Sequence, residues 1–70
     1  MKITNTKNLG IFIRKVRKEQ QLTQAQLAVA ANVGIRFIVD LENGKPTAQI
    51  GKVLSVLNAL GIIAELREPV

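Results

Sequence analysis

Turn residues at fixed offsets in the stretch 22–45, LTQAQLAVAANVGIRFIVDLENGK, constrain this chain more tightly than any other feature. Thr23 stands where a hydroxyl can cap the amide of Gln26 and open a helix. Leu27, Ala30 and Ala31 follow at i, i+3 and i+4, which predicts an apolar face of small residues. Asn32 sits where the chain must reverse, and Asn tolerates the left-handed conformation better than most residues other than glycine. A second apolar pair, Ile38 and Leu41, begins a few residues later. Asn43-Gly44 closes that second helix, with Gly44 free to take positive φ, and Pro46 opposes its continuation. The pattern predicts two short helices, over 24–31 and 35–43, joined by a tight turn.

The flanking sequence supplies a frame. Residues 1–5 read as a short extended arm, and Asn5 or Thr6 can cap a helix running to about Gln20. In that helix Leu9, Ile13 and Val16 form the buried stripe, with Phe12 beside it, while Arg14, Lys15 and Lys18 face water. Thr47 is the expected cap of a last helix reaching about Leu60, with Ile50, Val53, Leu54, Leu57 and Leu60 on its apolar face and Gly61 as its stop. The tail 62–67 alternates, with Ile62, Ala64 and Leu66 on one side, which predicts a strand. A lone strand leaves its backbone groups unpaired, so its expected partner is the same strand of a second copy, antiparallel about a two-fold axis. A frayed helical extension and a disordered tail are the alternatives. The expected fold class is all-α: one domain over 1–70, a bundle of four to five helices, with 62–67 as a dimerisation strand. Small residues at the central crossing and short loops make the middle pair a helix-turn-helix, which offers its second helix to the major groove of DNA.

Composition narrows the partner. A 70-residue chain buries only ~60% of its unfolded surface, and its 47% hydrophobic content predicts that a partner covers some of the rest. With no cysteine and no histidine, disulfides, a zinc site and His-based catalysis are excluded. The carboxylates form no paired acid–base site, so no enzymatic role and no cofactor are expected. No apolar run approaches the ~20 residues of a membrane span, and MKITNTKNLG lacks a signal-peptide core, so a cytoplasmic location is expected. The net charge of +5 favours a polyanion. Two phenylalanines are too few for the stacking platforms of single-strand binders, so double-stranded DNA is the better match, with a domain that simply carries surplus surface lysines as the alternative.

Arg17, Leu22-Thr23-Gln24, Leu27-Ala28, Val33, Ile38 and Leu41-Glu42-Asn43-Gly44-Lys45 together resemble the Xre/Cro family of helix-turn-helix repressors, whose fold is lambda-repressor-like. Within it, FIVDLENGKPTAQIGKVLSVLNALGI resembles the HipB-like branch, antitoxins that partner HipA-type kinase toxins. The resemblance implies that Gln24, Asn43 and Lys45 contact backbone phosphate. It also implies that Gly34, Ile35 and Arg36 open the recognition helix at the groove. Arg36 can pair with guanine O6 and N7, and Ile35 can pack on a thymine methyl or join the core. Asp40, one turn on, can accept from cytosine N4 or orient Arg36. Phe37 is expected to pack against the first motif helix. Arg17 and Glu42 match a family salt bridge that holds Arg17 near the DNA backbone; on this reading Glu42→Ala loosens binding more than folding.

Three positions depart from the family pattern. Gln21 and Asn32 replace turn glycines, the first with an αL strain of order 1 kcal/mol. Gly34 replaces a capping Ser or Thr, which costs a few tenths of a kcal/mol. The function implied is a homodimeric repressor of an inverted-repeat operator that also acts as the antitoxin of a HipA-like toxin kinase or its accessory subunit. The alternatives are a stand-alone regulator and an interaction module without DNA binding.

Overall fold

The computed structural model describes residues 2–69. Its four helices are α1 (Thr6–Glu19), α2 (Gln24–Ala31), α3 (Ile35–Glu42) and α4 (Ile50–Ala59). The first two start on side-chain caps. Asn5 Oδ1 accepts from the Asn8 amide at 2.8 Å. Thr23 Oγ1 accepts from the Gln26 amide at 3.0 Å, while Gln26 Oε1 accepts from the Thr23 amide at 2.8 Å, closing a capping box.

All four helices end in the same way. A left-handed residue follows each last turn: Gln21 (φ 60°), Asn32 (φ 57°), Gly44 (φ 80°) and Gly61 (φ 71°). The next amide then reaches back five residues: Leu22 to Arg17 O, Val33 to Ala28 O, Lys45 to Asp40 O and Ile62 to Leu57 O, at 2.9–3.1 Å. These are Schellman closures, in which the residue after the left-handed one usually packs on the helix just ended. Leu22, Val33 and Ile62 do so, lying against the core. The residue at that place after α3 is Lys45, which is exposed. At the end of α3 a cation thus stands where the other three helices place an apolar anchor.

Each helix contributes one side chain with no exposure: Ile13, Leu27, Ile38 and Val56. Burying each is worth about 1.5–3 kcal/mol. α2 packs on both α3 and α4, and α1 packs on α3. Gly10 sets the α1–α3 approach, because a Cβ there would stand 2.5 Å from Leu41 O and 2.7 Å from Glu42 O. Two hydrogen bonds tie the ends: Thr6 Oγ1 to Gly44 O at 2.8 Å and Gln20 Nε2 to Leu60 O at 2.7 Å.

Several details differ from the sequence reading. In α2 the buried set is Leu27, Ala28 and Ala31, with Ala30 exposed. Contact with two neighbouring helices covers the arc on the Ala28 side and leaves the Ala30 side open. Thr47 does not cap α4; Gln49 occupies that place without a side-chain bond. The chain first turns at Pro46-Thr47, then lays Ala48 on the core before the helix starts. The buried face of α4 is Val53, Val56, Leu57 and Leu60, with Ile50 71% and Leu54 49% exposed. α3 ends at Glu42, and Asn43 is its C-cap. Beyond Gly61 the described residues form neither helix nor strand, so the expected extension 62–67 is not a strand within one chain. Met1, in the expected arm, lies outside the described residues.

Candidate nucleic-acid interface

Most of the expected contact residues fall into two groups: Arg36, Asp40 and Lys45 along α3 and its closing turn, and Arg17, Gln24 and Asn43 around a depression at the start of α2. Gly34 is the N-cap of α3, with φ −73° and no side-chain cap bond. Nothing lies within 4 Å of where a Cβ on Gly34 would stand, so its backbone is openly accessible. Ile35 is 51% exposed, which settles against a core role. The Arg36 side chain is 83% exposed, and its Nε lies 3.3 Å from Asp40 Oδ1. Asp40 Oδ2 also accepts from Lys45 Nζ at 3.5 Å. Asp40 therefore sits between two cations that would otherwise repel and swing freely, and it limits where each can point. Phe37 packs against the core on the other flank, with Lys52 Nζ of α4 5.8 Å from its ring centroid. Its ring thus lies under Lys52 of α4, whereas the sequence reading had packed it against the first motif helix.

Beneath this surface lies a buried ion pair. Arg17 Nε donates to Glu42 Oε2 at 2.6 Å and Nη2 to Oε1 at 2.9 Å, a bidentate fork that joins α1 to the last turn of α3. Arg17 Nη1 donates to Leu22 O at 2.8 Å, which fastens the turn before α2. Gln24 Nε2 adds a bond to Glu42 Oε1 at 3.2 Å. The hydrogen bonds that Arg17 donates to Glu42 hold its guanidinium pKa above the ordinary arginine value; burial opposes this and the Glu42 charge adds to it. One glutamate thereby orients Gln24 at the head of α2 and clamps Arg17. Arg17 is only 7% exposed, so its donors serve the frame first.

These groups line an open depression of about 450 Å³, bounded by Arg14, Arg17, Leu22, Thr23, Gln24, Glu42 and Asn43. Gln24 and Asn43, two of the expected phosphate contacts, both line it, and Lys45 follows in the turn after α3. Arg14 also lines it, although spacing alone had assigned that residue to bulk water. No group of side chains among the described residues could hold a metal ion. No described helix is long and apolar enough to cross a membrane.

The Helix-turn-helix family matches residues 13–67. A relative from Sinorhizobium fredii (strain NBRC 101917 / NGR234), the HTH-type transcriptional regulator y4mF, is 56% identical over 68 residues, covering 97% of this chain and 90% of the relative. The chain belongs to the Xre-type helix-turn-helix family. Another relative, the immunity repressor protein of Bacillus phage phi105, is 37% identical over 54 residues, which span 77% of this chain and 38% of the repressor. Among solved structures, a chain of the HipA–HipB–O2–O3 complex superposes with a TM-score of 0.88, 22% identity and coverage of 97% of this chain and 96% of that one. A HipB–O4 20mer complex matches with the same TM-score and identity. At that identity the likeness establishes the fold. The Xre-type assignment agrees with the motif residues in the sequence, and the framing pair Arg17–Glu42 is present as the resemblance implied.

Proposed function

We propose that this chain is a sequence-specific transcriptional repressor that binds inverted-repeat duplex DNA as a homodimer and serves as the antitoxin of a HipA-like kinase toxin. The observation that carries the DNA reading is the exposed start of α3. Ile35 and Arg36 project from a helix whose other face is locked in the core, and Asp40 holds Arg36 at 3.3 Å. In this reading Arg36 reads guanine and Ile35 meets a thymine methyl. Asp40 restrains Arg36 and can accept from a cytosine amine beside it. Gln24, Asn43, Lys45 and the Gly34 backbone grip phosphate; Arg17 supports that grip through Glu42. The tail beyond Ile62, with Ala64 and Leu66 on one side, pairs the two copies, which would set recognition helices about 34 Å apart for two half-sites.

The fold shared with HipB supports the antitoxin role, and the toxin kinase or its accessory subunit is the partner it implies. The immunity repressor of a phage, 37% identical, favours a second reading in which the chain regulates transcription without a toxin. Co-purification from the native operon separates them: a kinase-like protein travels with the chain only in the first. Selection from random duplexes tests DNA reading itself, and two inverted half-sites are the expected outcome. On the selected site, Arg36→Ala should relax preference at one base position, at a cost of about 1–3 kcal/mol, whereas Lys45→Ala should weaken all sequences alike. Uniform loss in both variants removes Arg36 from base readout.

A further inference from the structure

α1 carries charge that neither the core nor the ion pairs use. Arg14 is exposed and makes no salt bridge among the described residues, yet it lines the depression shared by Gln24 and Asn43. The one carboxylate in that depression is already answered. Glu42 Oε2 takes Arg17 Nε at 2.6 Å, and Oε1 takes Arg17 Nη2 at 2.9 Å and Gln24 Nε2 at 3.2 Å. With Arg17 and Glu42 cancelling, Arg14 leaves the depression with an unbalanced positive charge. Lys7 lies seven residues earlier on the same flank of α1, ~10.5 Å along the axis. Its backbone abuts the turn after α3, since a Cβ on Gly44 would stand 2.8 Å from Lys7 Cα. Arg14 thus shares the depression with Asn43, and the Lys7 backbone lies against Gly44; neither cation makes a salt bridge among the described residues.

We propose that the exposed cations of α1 belong to the DNA footprint, with Arg14 and Lys7 binding backbone phosphates of duplex DNA beside the turn that follows α3. The inference rests on the duplex-DNA reading and extends it along α1 beyond Arg17, to the exposed cations Arg14 and Lys7. An exposed guanidinium facing an open depression can take a phosphodiester in a bidentate fork, and the Lys7 ammonium acts as a point charge. Neither contact selects sequence. Lys15 is the natural comparison, because at 3.6 residues per turn it points roughly 160° away from Arg17.

The test is the affinity for a mixed-sequence duplex as a function of salt, which needs no knowledge of the operator. Each of Arg14→Ala and Lys7→Ala should reduce the slope of log K against log salt by about 0.9, equivalent to about eightfold weaker binding at 0.1 M salt. Arg14→Lys should keep the slope, and Lys15→Ala should leave it unchanged. The proposal is overturned if Arg14→Ala and Lys15→Ala shift the slope equally, since that reports net charge alone, or if Arg14→Ala shifts nothing while the unaltered chain binds. A chain with no affinity for duplex DNA would instead remove the DNA reading, and this inference with it.

Discussion

At the residue scale, two positions hold backbone conformations that a different side chain would alter in opposite directions. Gly10 allows α1 to meet the carbonyls of Leu41 and Glu42, and a methyl there would stand 2.5 Å from backbone oxygen that cannot rotate away. Gly10→Ala should therefore cost about 2–3 kcal/mol despite the better helix propensity of alanine, read as a lower denaturation midpoint. Gln21 is the reverse case. It holds φ 60° at the end of α1, where left-handed geometry costs a side chain about 1–2 kcal/mol. Gln21→Gly removes that strain and adds unfolded-state freedom worth about 0.4–1 kcal/mol against it, so a net gain of roughly 0.5–1 kcal/mol is expected in thermal unfolding. Asn32 shares the conformation, but Asn is the side chain that best tolerates it.

At the scale of elements, the Arg17–Glu42 fork decides how three helices are held. Its side chains are 8% and 3% exposed, so removal of one partner strands the other charge in a site with little water. Glu42→Ala should cost about 3–5 kcal/mol of stability, a large share of what a domain this size possesses. This reverses the expectation from sequence that binding suffers more than folding, because spacing gives no measure of depth. Replacing both partners, as Arg17→Met with Glu42→Leu, should recover much of the loss in urea titrations while leaving Gln24 without its acceptor. A double variant as unstable as the single one would show that the residues contribute through packing and not through their charges.

At the scale of the molecule, the unassigned surface lies on α4 and the tail. Ile63 is 86% exposed and Leu66 fully exposed, and neither packs on the four-helix core. Ile62 belongs to the core side of that boundary, with its amide closing α4 on Leu57 O at 2.9 Å. Truncation after Ile62 should therefore keep the fold and shift the chain towards monomer in sedimentation. A cut before Ile62 would confuse dimerisation with stability. A truncated chain that remains dimeric excludes the tail as the pairing element and turns attention to exposed Ile50 and Leu54.

The sequence by itself determined where α1, α2 and α3 start and where the chain turns after each helix, because those choices are local. It did not determine the start of α4, which lies behind Gln49 and not Thr47. Thr23 caps within three residues, and Asn32 and Gly44 take the left-handed geometry that their own backbone preferences allow. The pair Ile38 and Leu41 was legible for the same reason, and of the expected α1 stripe Ile13 is buried while Leu9 and Val16 are partly buried against the core. Tertiary structure alone decided which arc of a largely apolar helix faces inward. α4 offers apolar residues most of the way round, so the position of its neighbours, and not its periodicity, selects Val56 over Ile50 and Leu54. It also decided what the charges meet. Asp40 lies between Arg36 and Lys45, Glu42 is buried under Gln24, and Arg14 opens onto the depression between α2 and the end of α3. Helical spacing places a side chain on a face, but only the packing of the other helices establishes what that face touches.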